Sequence, residues 1–173
     1  MLSIKSCELP TEALLAKYVR GGAYTDCYRT EVSGSVTHEQ YVYAFYTTLL
    51  FNLERVILSA LVSMPSSDDE AKQLAQGSRS QFAAWQVEDR CDNQLLLADY
   101  LGRTRSWLMV LPATDKHDAR TYLYFGSAIT RIKHPKTGKM TLGNAFNLLL
   151  GFHKIYSRLL LCSARARLES QLT

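Results

Sequence analysis

The sequence predicts an α+β fold in which a curved antiparallel β-sheet is wrapped around a long C-terminal helix. Three observations predict it. From Phe82 to Ile132 the chain is a run of strand-like segments separated by short polar turns, and connections that short join antiparallel neighbours. Beyond Thr141 apolar residues recur at helical spacing almost to the end of the sequence, as one face of a long helix requires. The 173 residues, 47% hydrophobic and 21% charged, suffice for one core without metals or disulfides to staple it. Residues 1–22 read as an N-terminal arm or short helix and residues 23–173 as a single domain.

Taken in order, Pro10 to Arg20 carries Leu14, Leu15 and Tyr18 on one side and stops at Gly21-Gly22, a short helix. From Ala23 to Val32, Tyr24, Asp26, Tyr28 and Thr30 alternate with Thr25, Cys27, Arg29 and Glu31, which makes the first strand. Thr37 followed by Gln40 matches a capping box. The apolar residues Val42, Phe45, Leu49, Leu53, Val56 and Leu61 continue it as one helix, or as two with a break near Thr47-Thr48. Ser66 or Ser67 caps a short helix from Asp68 to Gln76 whose acidic first turn suits the helix dipole.

Four strands follow, Phe82 to Arg90, Gln94 to Leu101, Thr104 to Leu111 and Thr121 to Ile132, parted by Asp92-Asn93, Gly102-Arg103 and a loop from Pro112 to Arg120. After a turn at Pro135 to Gly138, Thr141 caps a helix to about Leu168. Its continuous face is Leu142, Ala145, Phe146, Leu149, Phe152, His153, Tyr156 and Leu160. That face needs a partner, and the inner side of the sheet supplies one.

Composition excludes several function classes. The formal charge of +4 is spread thinly, with small excesses at Arg131, Lys133, Lys136 and Lys139 and at Arg158, Arg165 and Arg167; a nucleic-acid surface needs a denser basic stripe. Cys7, Cys27, Cys91 and Cys162 form no C-x-x-C pair, so reduced thiols and a cytoplasmic setting are expected. The apolar runs are broken well short of the roughly 20 residues of a membrane span. His38, His117 and His134 stand at capping or loop positions and give no i,i+4 pair for zinc. Nucleophile elbows, phosphate loops and dinucleotide fingerprints are missing, and neither metal nor cofactor is expected.

The order of strand, helices, antiparallel strands and long amphipathic helix resembles the START-like, or helix-grip (SRPBCC-type), superfamily. Ala23-Tyr24-Thr25-Asp26-Cys27-Tyr28 and the stretch from Gln94 to Pro112, with Gly102-Arg103-Thr104-Arg105-Ser106-Trp107, are similar to an uncharacterised family of that superfamily that also occurs beside Rossmann dehydrogenase-type domains. The resemblance covers residues 23 to 168 and only five strands are counted, where the superfamily often has six or seven. It implies a cavity between sheet and last helix for lipids, sterols, polyketides, hormones or other apolar small molecules.

The residues nominate candidates for such a site. Asp99 shares a face with Leu95 and Leu97; it is a cavity acid, a partner of Arg103 or Arg105 across the hairpin, or a residue at the exposed end of its strand. Arg105 and Trp107 share a face of the next strand, as do Tyr122 and Tyr124 of the one after, an aromatic wall with a cationic end for an anionic, apolar ligand. His153 lies near the covering face of the last helix with Tyr156, where it can hydrogen-bond a ligand or stand as a satisfied structural group. Cys27 reads as a small buried residue rather than a nucleophile.

Three functions follow from these candidates. The first is a noncatalytic module binding an apolar or amphipathic molecule. The second is a cyclase, dehydratase or hydrolase with Asp99 and His153 as acid and base. The third is an oligomerisation or scaffold domain, a homodimer for instance, motivated by the apolar surplus between Tyr41 and Val62.

Overall fold

The computed structural model describes residues 4–53, 55, 64–113, 119–130, 132–133, 140–141 and 146–172, the side chains of 132–133, 140–141 and 146–150 excepted. Val56, Leu61, His117, His134, Leu142, Ala145, Arg131, Lys136, Lys139 and the turn at Pro135 to Gly138 lie outside the described residues. The strands are β1 (Lys5–Ser6), β2 (Tyr24–Ser33), β3 (Gln81–Phe82), β4 (Trp85–Cys91), β5 (Gln94–Asp99), β6 (Thr104–Pro112), β7 (Arg120–Ile129), β8 (Ile132–Lys133) and β9 (Met140–Thr141). The helices are α1 (Ala16–Arg20), α2 (His38–Tyr46), α3 (Asp68–Ala75) and α4 (Phe146–Leu172).

Seven strands form one antiparallel sheet in the order β1-β2-β7-β6-β5-β4-β3, and β8 pairs with β9 as a separate ribbon. The α+β reading holds: α4 packs on β2, β7 and α2. Two strands of the main sheet were not foreseen in the sequence. β1 is a two-residue edge paired with β2, too short to show alternation. β3 is cut from β4 because Ala83 takes a left-handed backbone, φ 49°, and turns the chain back at once.

Local chemistry accounts for the helices. Thr37 accepts from the Gln40 backbone N–H while Gln40 returns the bond, and Ser67 and Glu70 do the same for α3. Thr47 Oγ1 donates to the Tyr43 carbonyl and Thr48 Oγ1 accepts from Phe51 N–H. These two threonines therefore end α2 and start the helical segment at 49–53. The first helix is shorter than expected, because residues 11–15 run as turns before Ala16. Thr141 belongs to β9 rather than to a helix cap, and α4 is described from Phe146.

The central strands are buried on both faces, and two separate cores result. On the helix face Tyr28, Val32, Leu95, Leu97, Leu108, Leu123 and Phe125 meet Tyr41, Phe45, Phe51, Leu74, Leu160 and Leu161. On the opposite face Cys27, Leu96, Trp107, Met109, Tyr124 and Ala128 are covered by the arm through Leu9, Ala13, Leu14 and Leu15. Gln94 ties the arm down. Its Oε1 accepts from Leu14 N–H and Trp107 Nε1–H, both at 2.9 Å, and its Nε2 donates to the Glu12 carbonyl.

Gly126 sits opposite Trp107 in the β6–β7 ladder, and this pair sets the spacing of the arm. A Cβ there would lie 2.9 Å from the indole, 3.0 Å from the Asp26 carbonyl and 3.0 Å from Leu15 Cδ2. Gly126→Ala is therefore expected to cost roughly 1–3 kcal/mol through overpacking, read as a lower urea midpoint.

His38, at the start of α2, is 8% exposed and its Nε2 has no partner among the described residues. Burial, reinforced by the Arg90 charge and only partly opposed by a backbone bond to Leu108, pushes its pKa from 6.5 down to about 4. The folded chain thus binds this proton less readily than the unfolded one. The contribution is whole above pH 6.5 and is lost as pH falls through 4, a difference on the order of 3 kcal/mol. Denaturation between pH 7 and 4 should show that loss in the natural chain and a flatter profile in His38→Gln.

Candidate functional site

A cavity of about 260 Å³ lies between the sheet and α4. The elements already described deliver its walls. α2 and the segment after it contribute Phe45 and Phe51, β7 contributes Phe125 and α4 contributes Leu160, so the inner wall is apolar. The tight turn before β4 brings Ala84 and Trp85 to the edge. Trp85 keeps its indole N–H buried with no acceptor among the described residues.

One end of the cavity is polar. Asp26 on β2 and Ser127 on β7 are directly opposed in the antiparallel ladder, and His153 of α4 reaches down to them. Ser127 Oγ–H donates to Asp26 Oδ1 at 2.6 Å, and the Ser127 backbone N–H donates to the same oxygen at 3.2 Å. His153 Nε2 is 2.7 Å from Ser127 Oγ and 3.5 Å from Asp26 Oδ2.

Because Ser127 spends its proton on the carboxylate, its oxygen can only accept from the imidazole. That fixes His153 as the Nε2–H form. Its Nδ1 has no partner among the described residues. This chain runs from His to Ser to Asp, so the serine bridges and is not the activated nucleophile of a hydrolase triad. Tyr28 approaches the same carboxylate, its hydroxyl 3.5 Å from Asp26 Oδ2. Burial first and the Asp26 charge second push its pKa up to about 12, against the opposing pull of Arg158. Burial and Asp26 raise Tyr24 likewise.

The residues nominated from the sequence divide between the two faces. His153, Tyr156 and Asp99 line the cavity. Asp99, however, is committed to the hairpin: its Oδ1 accepts from the backbone N–H of Arg103 at 2.6 Å and Thr104 at 3.0 Å. This is neither the free cavity acid nor the arginine side-chain pair but the strand-end position: Asp99 is the last residue of β5, half-buried, and closes the turn on backbone donors.

Trp107, Tyr122 and Tyr124 lie on the opposite face, in or against the core beneath the arm. They therefore make no wall for this cavity, although their shared parity was read correctly. Arg105 borders the cavity along its strand, yet its guanidinium serves the arm: Nε donates to Glu88 Oε2 at 2.9 Å and to Tyr18 Oη at 2.7 Å, and Nη1 donates to the Gly102 carbonyl. Glu88 occupies the irregularity in the β4–β5 register between Val87 and Asp89. Burial works to raise its pKa, but hydrogen bonds from Lys17, Tyr18 and Arg105 outweigh it and hold the carboxyl below the usual range.

Asp26, Ser127, Ser157 and the phenylalanine wall were not nominated. Asp26 carried a usable signal: it alternates with Tyr24 and Tyr28, and a carboxylate set between two tyrosines on one strand face has donors at hand. Ser127 carried none, since only the β2–β7 register makes it a neighbour of Asp26. Among the described residues no group of His, Cys, Asp and Glu could hold a metal ion, and no helix is long and apolar enough to cross a membrane.

Asp26 is the acceptor on which this end of the cavity depends. Asp26→Ala would remove the acceptor of the Ser127 Oγ–H and the Tyr28 hydroxyl and should cost roughly 2–4 kcal/mol in chemical denaturation. The same change should bring the Tyr28 titration, followed by ultraviolet absorbance, back toward its ordinary value of 10. Comparison with family models, with curated proteins and with solved structures gives no match for this chain.

Proposed function

We propose that the chain is a small-molecule-binding module of the START-like, helix-grip kind, which holds an apolar molecule with one polar end between its sheet and α4. The observation that carries this reading is the cavity itself, aromatic along Phe45, Phe51 and Phe125 and polar at Ser127 and His153. Such a division is what orients an amphipathic ligand. The topology and the resemblance of the sequence to the superfamily support the same reading.

Size narrows the ligand. At about 260 Å³ the cavity falls just under the roughly 300–1,000 Å³ of most ligand sites, which favours a compact aromatic or short-chain molecule over a sterol. Its polar end would meet His153 Nδ1. Native mass spectrometry and thermal shift against phenyl-substituted carboxylic acids and medium-chain fatty acids should find at least one binder. His153→Ala should weaken that binder by about 5- to 30-fold, the worth of one or two hydrogen bonds. A panel without a single binder would remove the proposal.

A second reading has one specific observation behind it: His153 is linked through Ser127 to the Asp26 carboxylate. A histidine so anchored can serve as a general base through Nδ1 in a dehydration, cyclisation or hydrolysis. Recovering the ligand after prolonged incubation decides between the two, since a binder returns unchanged and an enzyme returns product.

A further inference from the structure

We propose that Cys7 and Cys27 form a reversible disulfide that fastens the N-terminal arm across the sheet face opposite the cavity. The two residues are direct cross-strand neighbours. The register Lys5↔Arg29, Ser6↔Tyr28 continues to them, and the Cys7 N–H donates to the Cys27 carbonyl at 3.0 Å. Cross-strand neighbours in an antiparallel pair have Cα atoms about 4.5–5.5 Å apart, inside the range that a disulfide spans. Their sulfur atoms already face each other at 3.4 Å. Bond formation therefore needs a side-chain adjustment and no rearrangement of the strands. Cys91 and Cys162 are exposed and take no part in this pair.

The two thiols also differ in the way that exchange chemistry requires. Cys7 is half-buried at the edge of the sheet while Cys27 is buried, so an oxidant meets Cys7 first. The hydrogen bond with Cys27, helped by the Arg29 charge, outweighs burial and holds the Cys7 thiol below its usual range; that same bond and burial push Cys27 up. Cys7 is thus the thiolate that attacks.

With a low-molecular-weight disulfide such as oxidised glutathione, the Cys7 thiolate displaces one glutathione thiolate and forms a mixed disulfide. Cys27, giving up its proton to solvent, then attacks Cys7 Sγ and displaces the second glutathione. Two protein thiols are oxidised and one glutathione disulfide is reduced to two thiols.

The bond would close a covalent loop containing α1 and the residues that cover Trp107, Tyr124 and Leu96. In the reduced chain the arm is held by the two-residue β1, the Gln94 hydrogen bonds and the Glu88 cluster. Oxidation should therefore raise stability and protect the arm from proteolysis.

Trypsin places the four cysteines on separate peptides, residues 6–17, 21–29, 91–103 and 159–165. After equilibration of the full chain with oxidised glutathione and alkylation of remaining thiols, the cross-linked pair 6–17 with 21–29 should dominate. The melting temperature should rise by about 4 °C or more, and dithiothreitol should reverse both. Cys7→Ser, which alters only the half-buried partner, should keep the fold and lose the shift. Glutathione retained on Cys7 without the cross-link, free thiols at both positions, or a cross-link that leaves melting unchanged would each overturn the proposal.

Discussion

The constraint on which this structure depends is that the middle of its sheet is apolar on both faces. Leu95, Leu96 and Leu97 of β5, and Trp107, Leu108 and Met109 of β6, are successive residues and all fully buried. Successive strand residues point to opposite sides, so neither face can be left to water. Burying even one such side chain is worth about 1.5–3 kcal/mol, and each strand presents them both ways. A cover is needed on each side, and the chain supplies two unlike ones. α4, with α2 and α3, closes one face, while a thin arm with little regular structure closes the other.

The two covers leave different consequences. A helix laid on a curved sheet meets it along a line, and the volume left beside that line is the cavity. Its polar end is tolerable because Asp26 is fully engaged: an acceptor that receives an O–H and an N–H from one serine, with a histidine beside it, recovers much of the hydration it lost. The arm is thinner and lies closer. It requires a glycine at position 126 for the indole and Leu15 to settle against the strand. The cavity and the close approach at Gly126 therefore stand on opposite sides of the same strands.

Much of this was legible in the sequence, and what was not has a common cause. The capping box at Thr37, the serine cap at Ser66 or Ser67, the break at Thr47-Thr48 and the two-residue turn Asp92-Asn93 were readable because each rests on local chemistry. Parity was readable as well, so Asp99 with Leu95 and Leu97, or Arg105 with Trp107, fell correctly together. Which parity faces the helix was not. A strand buried on both faces has no polar side to mark the outside, and Trp107, Tyr122 and Tyr124 were assigned to the wrong one. Asp26, Ser127 and His153 come from distant parts of the chain and meet only through the β2–β7 register and the placement of α4. No spacing rule within a single segment reports such a meeting.

The two tryptophans offer the most direct test, because Trp85 lines the cavity and Trp107 lies under the arm. With 5-fluorotryptophan incorporated throughout, the two ¹⁹F resonances can be assigned with Trp85→Phe and followed while a ligand is added. A molecule bound between sheet and α4 should move the Trp85 resonance and leave Trp107 in place. Movement of Trp107 with Trp85 unchanged would put the ligand beneath the arm and contradict the account.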